Sequence, residues 1–157
     1  MKLISVCCSI LYITAFLLTG CGSDSGNVQK ENKAYTQGVW VDDTTYRIMA
    51  QGSPSRNLMK IEDQKASAVR SATHHAQNLV LKKFKELRKT AAGNQPLPKA
   101  SKTNARTVIN SIKKGTIVKN SEQFDKNNNC SLVFEVKTGD LRSLVLSSDL
   151  DSIDIIR

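Results

Sequence analysis

Four sets of side chains in this 157-residue chain have the type and spacing to do chemistry. They are four cysteines, the His74-His75 pair, the Asp42-Asp43 pair, and the cationic run Lys82, Lys83, Lys85, Arg88 and Lys89. Adjacent helical residues point about 100° apart, so neighbouring imidazoles do not converge on one metal ion, and the HExxH spacing is missing. The histidines read as polar helix surface. Two carboxylates without further oxygen ligands make a poor cation site, so Asp42-Asp43 reads as a solvated turn. No metal ligand set and no catalytic residue are assigned. Neither GxxxxGK[ST], GxGxxG nor GxSxG occurs, which removes the usual phosphate cradles and the nucleophile elbow. The cationic run has two readings: cations gathered near a helix C-terminus, where the dipole favours them, or an anion-binding patch.

The cysteines divide by position. Cys7 and Cys8 lie in residues 3–20, LISVCCSILYITAFLLTG, an uncharged apolar run that follows Met1-Lys2. A spanning helix needs about 20 residues, and no Lys or Arg cluster follows residue 21 to stop transfer. A cleaved signal is therefore expected over a retained anchor. Leu18-Thr19-Gly20-Cys21 has the form of a lipobox and resembles the signal of bacterial lipoproteins. That resemblance implies cleavage between Gly20 and Cys21, with diacylglyceryl and N-acyl lipid on Cys21 as the only covalent group; no dissociable cofactor is expected. One acyl chain holds a protein marginally and stable anchoring takes two signals, so two or three chains on Cys21 would anchor it firmly. Gly22, where an aspartate would retain a lipoprotein at the inner membrane, agrees with outer-membrane sorting, facing periplasm or cell surface.

Removing residues 1–20 takes away Lys2 alone among charged groups, leaving 137 residues at net charge +8. Cys130 is then the sole unblocked thiol. It cannot close an internal disulfide, and it reads as a small strand hydrophobe or, in the minor reading, as a reactive thiol. A thiol- or metal-dependent enzyme would need Cys130 or His74; with no supporting motif, the chain is read as not an enzyme. The charge excess attracts anionic lipid or glycan with salt sensitivity. Export and few interleaved aromatics (5% Phe, Trp and Tyr) argue against nucleic acid.

The elements that must position these groups follow from periodicity. Residues 21–37 are polar and aperiodic and read as a tether spanning roughly 20–24 Å as a coil. Residues 38–52 alternate as strand material, Trp40, Tyr46, Ile48 and Ala50 on one face, with Asp42-Asp43 dividing a short entry piece from the main strand. A helix is expected from about Ser53–Ser55 to about Lys89, stopping before Gly93. Its stripe is Leu58, Ile61, Ala68, Val69, Ala72, Ala76, Leu79, Val80, Phe84 and Leu87. Pro96 and Pro98 break the pattern. Residues 103–114 form a second, weaker helix closed by Gly115. Residues 116–124 and 130–138 are two strands joined by an Asn-rich turn. Residues 141–146 are a short helix or a strand, followed by an uncertain tail over 149–157.

This order of elements resembles the LPP-twenty family of small bacterial surface lipoproteins, which includes relatives of a flagellar outer-membrane lipoprotein. The features that carry it are YRIMAQG (46–52), the alanine-punctuated helix, and GTIVKNSEQFDKNNNCSLVFEVKTGDL (115–141), with Gly115, Asp125, Leu132-Val133 and Leu141 in the family's places. The resemblance covers about residues 38–146 and transfers no catalytic residue. The expected fold is α+β: a long helix packed on a small antiparallel sheet in the order β-α-(α)-β-β, one domain over 38–157 behind a flexible lipidated tether. The expected role is a non-enzymatic structural or interaction module of the outer membrane, or alternatively a surface binding protein for an anionic ligand. Its partners would be the membrane through the lipid, other envelope proteins, or itself through an exposed sheet edge.

Overall fold

A computed structural model of the chain describes residues 35–94 and 97–152. The signal segment, the Gly20-Cys21 junction, tether residues 21–34 and residues 153–157 lie outside the described residues. Two strands, β1 (Val39–Asp42) and β2 (Thr45–Gly52), precede a 34-residue helix α1 (Ile61–Asn94) and a 12-residue helix α2 (Lys102–Lys113). Then come β3 (Thr116–Ile117), β4 (Gln123–Phe124), β5 (Cys130–Lys137), the short helix α3 (Leu141–Leu146) and a 3-10 turn at Leu150–Ser152. The fold is mixed, with one long helix on a small antiparallel sheet, as the alternation of periods implies.

The sheet is built on β2 and β5, paired in unbroken antiparallel register from Thr45↔Lys137 to Gly52↔Cys130. β1 adds outside β2, and β3 and β4 share the far edge of β5. Period-two alternation puts Tyr46, Ile48 and Ala50 beside Val136, Phe134 and Leu132 on one face, all buried. α1 covers that face antiparallel to β2, with Ala68, Ala72, Ala76, Val80 and Phe84 recurring every four residues and fully or almost fully buried. Side-chain size is graded along the contact. Alanines meet Gly52 at one end; at the other Phe84 stacks on Trp40 at 5.6 Å and meets Tyr46 edge-on at 5.0 Å. A Cβ on Gly52 would stand 2.1 Å from the Ala72 backbone nitrogen and 2.5 Å from the Ala68 carbonyl oxygen, so strand and helix backbones touch there.

α2 contributes Ala105, Val108, Ile109 and Ile112 to the same core, and α3 adds Leu141 and Val145. Ser101 caps α2, its Oγ accepting from the Asn104 amide at 3.3 Å. On the other sheet face Arg47 and Glu135, directly opposite in register, form an ion pair at 2.8 Å.

The division expected at Asp42-Asp43 is present, and three other boundaries differ from the sequence expectation. Residues 38–52 are a hairpin, because Asp42 Oδ1 accepts from both the amide and the hydroxyl of Thr44 at 2.7 Å and turns the chain. α1 begins at Ile61, not at Ser53–Ser55. Gly52 abuts residues 68–72, roughly 10–16 Å into the helix at 1.5 Å per residue, and residues 53–60 travel that distance back to its start. Leu58 and Ile61 therefore lie off the core, Ile61 at 56% exposure. α1 also continues through Gly93 to Asn94, since a lone glycine near a helix end weakens the helix without stopping it. Residues 116–124 are two fragments whose pairings with β5 are out of step by three residues. Between them Asn120 turns at φ 62° and buried Ser121 replaces the ladder, its Oγ accepting from the Val133 amide at 3.1 Å while Val118 donates to the Val133 carbonyl at 2.9 Å. The first sheet contact also comes earlier than residue 38: the Tyr35 carbonyl accepts from the Met49 amide at 2.9 Å.

Candidate functional site

The cationic run does not form one patch. α1 continues beyond Lys89, so its last turn carries no basic residue and dipole compensation does not account for the run. Lys83 pairs with Glu86 at 3.2 Å and Lys85 with Asp151 at 3.9 Å. Arg88 turns inward and donates from Nη1 to the Ser148 carbonyl, while its buried Nε has no acceptor among the described residues. It thereby ties α1 to the end of α3. Lys82 and Lys89 remain exposed, and with Lys85, Leu81, Asn78 and Glu86 they line a shallow groove of about 500 Å³ along α1.

A larger cleft of about 590 Å³ opens at the other end of the sheet, where β2 runs out, β4 meets β5 and α1 passes beneath. Gln51, Gly52 and Ser53 line it from β2 and its exit, and Ser71 and His75 from α1. β4 and β5 supply Gln123, Phe124, Cys130 and Ser131, and the turn between them Asp125 and Asn129. The turn is held by local hydrogen bonds. Asp125 Oδ1 accepts from the amides of Asn127 at 2.8 Å and Asn129 at 3.0 Å, while Oδ2 accepts from Asn129 Nδ2 at 2.8 Å. The Asn129 side chain first, and then the turn amides, hold the Asp125 carboxyl below its usual range. Asn128 takes the left-handed conformation at φ 60° and donates to Gln64 on α1 at 2.8 Å.

Cys130 is fully buried, and burial first, with Glu122 adding, pushes its thiol up to about 11. At neutral pH it is protonated and a poor nucleophile, which agrees with a packing role. His75 Nδ1 lies 2.9 Å from the Gln51 carbonyl oxygen. A carbonyl only accepts, so Nδ1 carries a proton and donates it. His74 faces Asn78 instead, at 3.4 Å, so the two histidines serve different contacts. Among the described residues no group of three or more His, Cys, Asp and Glu is placed to hold a metal ion.

The basic run was legible in the sequence; the cleft was not. Its residues come from positions 51–53, 71–75 and 123–131, and each taken singly reads as part of a strand, a helix surface or a turn. Phe124 gave the only local signal, a large ring next to an Asp-Asn turn, 37% exposed in the fold. Compared with known proteins, the chain matches no protein-family model, no curated protein and no solved structure.

Proposed function

We propose that this chain is a lipoprotein of the bacterial outer membrane, anchored through lipid on Cys21, whose folded body is a non-enzymatic structural or interaction module of the envelope. The observation that carries this reading is the Leu18-Thr19-Gly20-Cys21 sequence at the end of an uncharged apolar run, followed by a polar stretch before the first sheet contact at Tyr35. A tether of that length lets the body stand clear of the lipid headgroups. The likeness of residues 38–146 to small surface lipoproteins belongs to the same reading. Its test compares wild type with Cys21→Ala in membrane fractionation, with protease added to intact cells. Loss of membrane attachment in the variant supports the anchor, and unchanged attachment overturns it. Cleavage without lysis puts the body on the cell surface; protection until the envelope is opened puts it in the periplasm.

A second reading, a surface protein binding an anionic ligand, is favoured by the convergence of Lys82, Lys85 and Lys89 on one groove. Reversing the exposed pair, Lys82→Glu with Lys89→Glu, would abolish salt-sensitive binding to anionic vesicles under that reading and leave it unchanged under the first.

A further inference from the structure

We propose that the cleft where β2, β4 and β5 end over α1 is a binding site for a neutral, hydroxyl-rich ligand, a short stretch of glycan. The inference rests on reading the body as a non-enzymatic interaction module and supplies the class of partner. Its volume, about 590 Å³, falls within the roughly 300–1,000 Å³ of small-molecule sites.

The lining selects the ligand by charge and by hydrogen-bonding capacity. It holds no Lys or Arg, and both oxygens of its one carboxylate, Asp125, are occupied within the turn. The one ammonium the structure places beside the lining, Lys65, is held over the Phe124 ring, so the lining itself offers an anion no counter-charge, and a cation finds a carboxylate already satisfied. Besides His75 and Asn129, whose side chains are already hydrogen-bonded, the polar groups are uncommitted: the side chains of Gln51, Ser53, Ser71, Gln123 and Ser131 make no hydrogen bond among the described residues. A planar amide presents a donor and an acceptor side by side, and a hydroxyl is both at once. Vicinal sugar hydroxyls offer the same mixture, whereas a phosphate offers acceptors alone.

Phe124 adds the apolar element that a pyranose ring requires for its C–H face. Lys65 Nζ stands 5.3 Å from the centre of the Phe124 ring and covers one face of it. The platform is therefore positioned before any ligand arrives. Binding, not cleavage, is the chemistry the cleft can perform. Glycoside hydrolysis usually takes a pair of carboxyl groups with one held protonated, and Asp125 is single, hydrogen-bonded and ionised.

The test uses the full chain, extracted in an amine-oxide detergent so that no sugar headgroup competes, with chitotetraose and maltotetraose as neutral probes. Saturation-transfer NMR and titration calorimetry are expected to show binding of at least one probe. Gln51→Ala combined with Gln123→Ala should weaken it at least about tenfold, since two hydrogen bonds are lost, with the thermal midpoint unchanged. Phe124→Ala should remove the saturation of the sugar C–H protons. If neither probe binds, or if the double variant binds as wild type does, the proposal is overturned. Mass spectrometry of the recovered probe separates the two readings: cleavage would keep the cleft as the site while removing the non-enzymatic reading of the body.

Discussion

Replacing Gly52 by alanine adds one methyl group at the place where β2 and α1 touch. Its carbon would stand 2.1 Å from the Ala72 nitrogen, 2.5 Å from the Ala68 oxygen and 2.7 Å from the Ala72 Cα. All three are backbone atoms, so no rotamer change relieves the contact. α1 would have to lift away from the sheet by more than 1 Å, taking Ala76, Val80 and Phe84 from their contacts. Overpacking of a well-filled core costs about 1–3 kcal/mol, and a clash with backbone on both sides belongs at or above the upper end. We expect ~3 kcal/mol or more, against a total of about 5–15 kcal/mol for a domain of ordinary stability. The same substitution at Gly93 is the control. Gly93 is in α1, has no neighbour within 4 Å and no positive φ, so alanine there should stabilise the helix, by about 0.5 kcal/mol. Urea unfolding followed by circular dichroism at 222 nm and by Trp40 fluorescence measures both. If Gly52→Ala unfolds within ~0.5 kcal/mol of wild type, or if both variants shift in the same direction, the close approach of strand and helix is refuted.

Three further perturbations test other parts of the fold. Burial pushes Tyr46, with Glu86 adding, up to about 12 from 10.0, and Cys130 up to about 11 from 9.0. Both folded values lie above the unfolded ones, so stability is intact below pH 9 and is lost as pH rises from 9 to 12, by about 2–3 kcal/mol per group; a flat midpoint across that range in urea titrations would contradict this. Arg88→Met should cost about 1–2 kcal/mol because it leaves the buried end of α3 without its donor at the Ser148 carbonyl, and faster hydrogen exchange confined to residues 141–152 would report the local loosening. Ser101→Ala removes the cap of α2 and should cost about 1 kcal/mol, whereas Ser101→Asp should retain most of it.

The parts of the fold legible in the sequence are those set by periodicity and short-range turn chemistry. β5 alternates cleanly because one of its faces is buried along its whole length, and α2 shows both its stripe and its serine cap within twelve residues. The alanine stripe of α1 stands in the sequence, but the strand it packs against does not. Consecutive pattern is not consecutive structure in this chain. Ser53-Pro54-Ser55 has helix-start chemistry, yet the chain there is still travelling along α1 to reach its beginning. Residues 116–124 have strand composition, yet Ser121 and the left-handed Asn120 interrupt the ladder. Neither fact is local.

The same distinction governs function. The sequence by itself determined the lipobox form of residues 18–21, the cationic run and the α+β class, because these depend on residue type and on spacings of a few positions. Only the tertiary structure decided how the five cations divide: Lys82, Lys85 and Lys89 share a groove, while Arg88 turns inward to the Ser148 carbonyl, some sixty residues away. It alone assembled the cleft, since Gln51, His75 and Gln123 are brought together by the β2–β5 register and by the antiparallel passage of α1 across it. Register and packing are long-range quantities. A stretch of chain carries the residues that satisfy them, but not the identity of the residues they will meet.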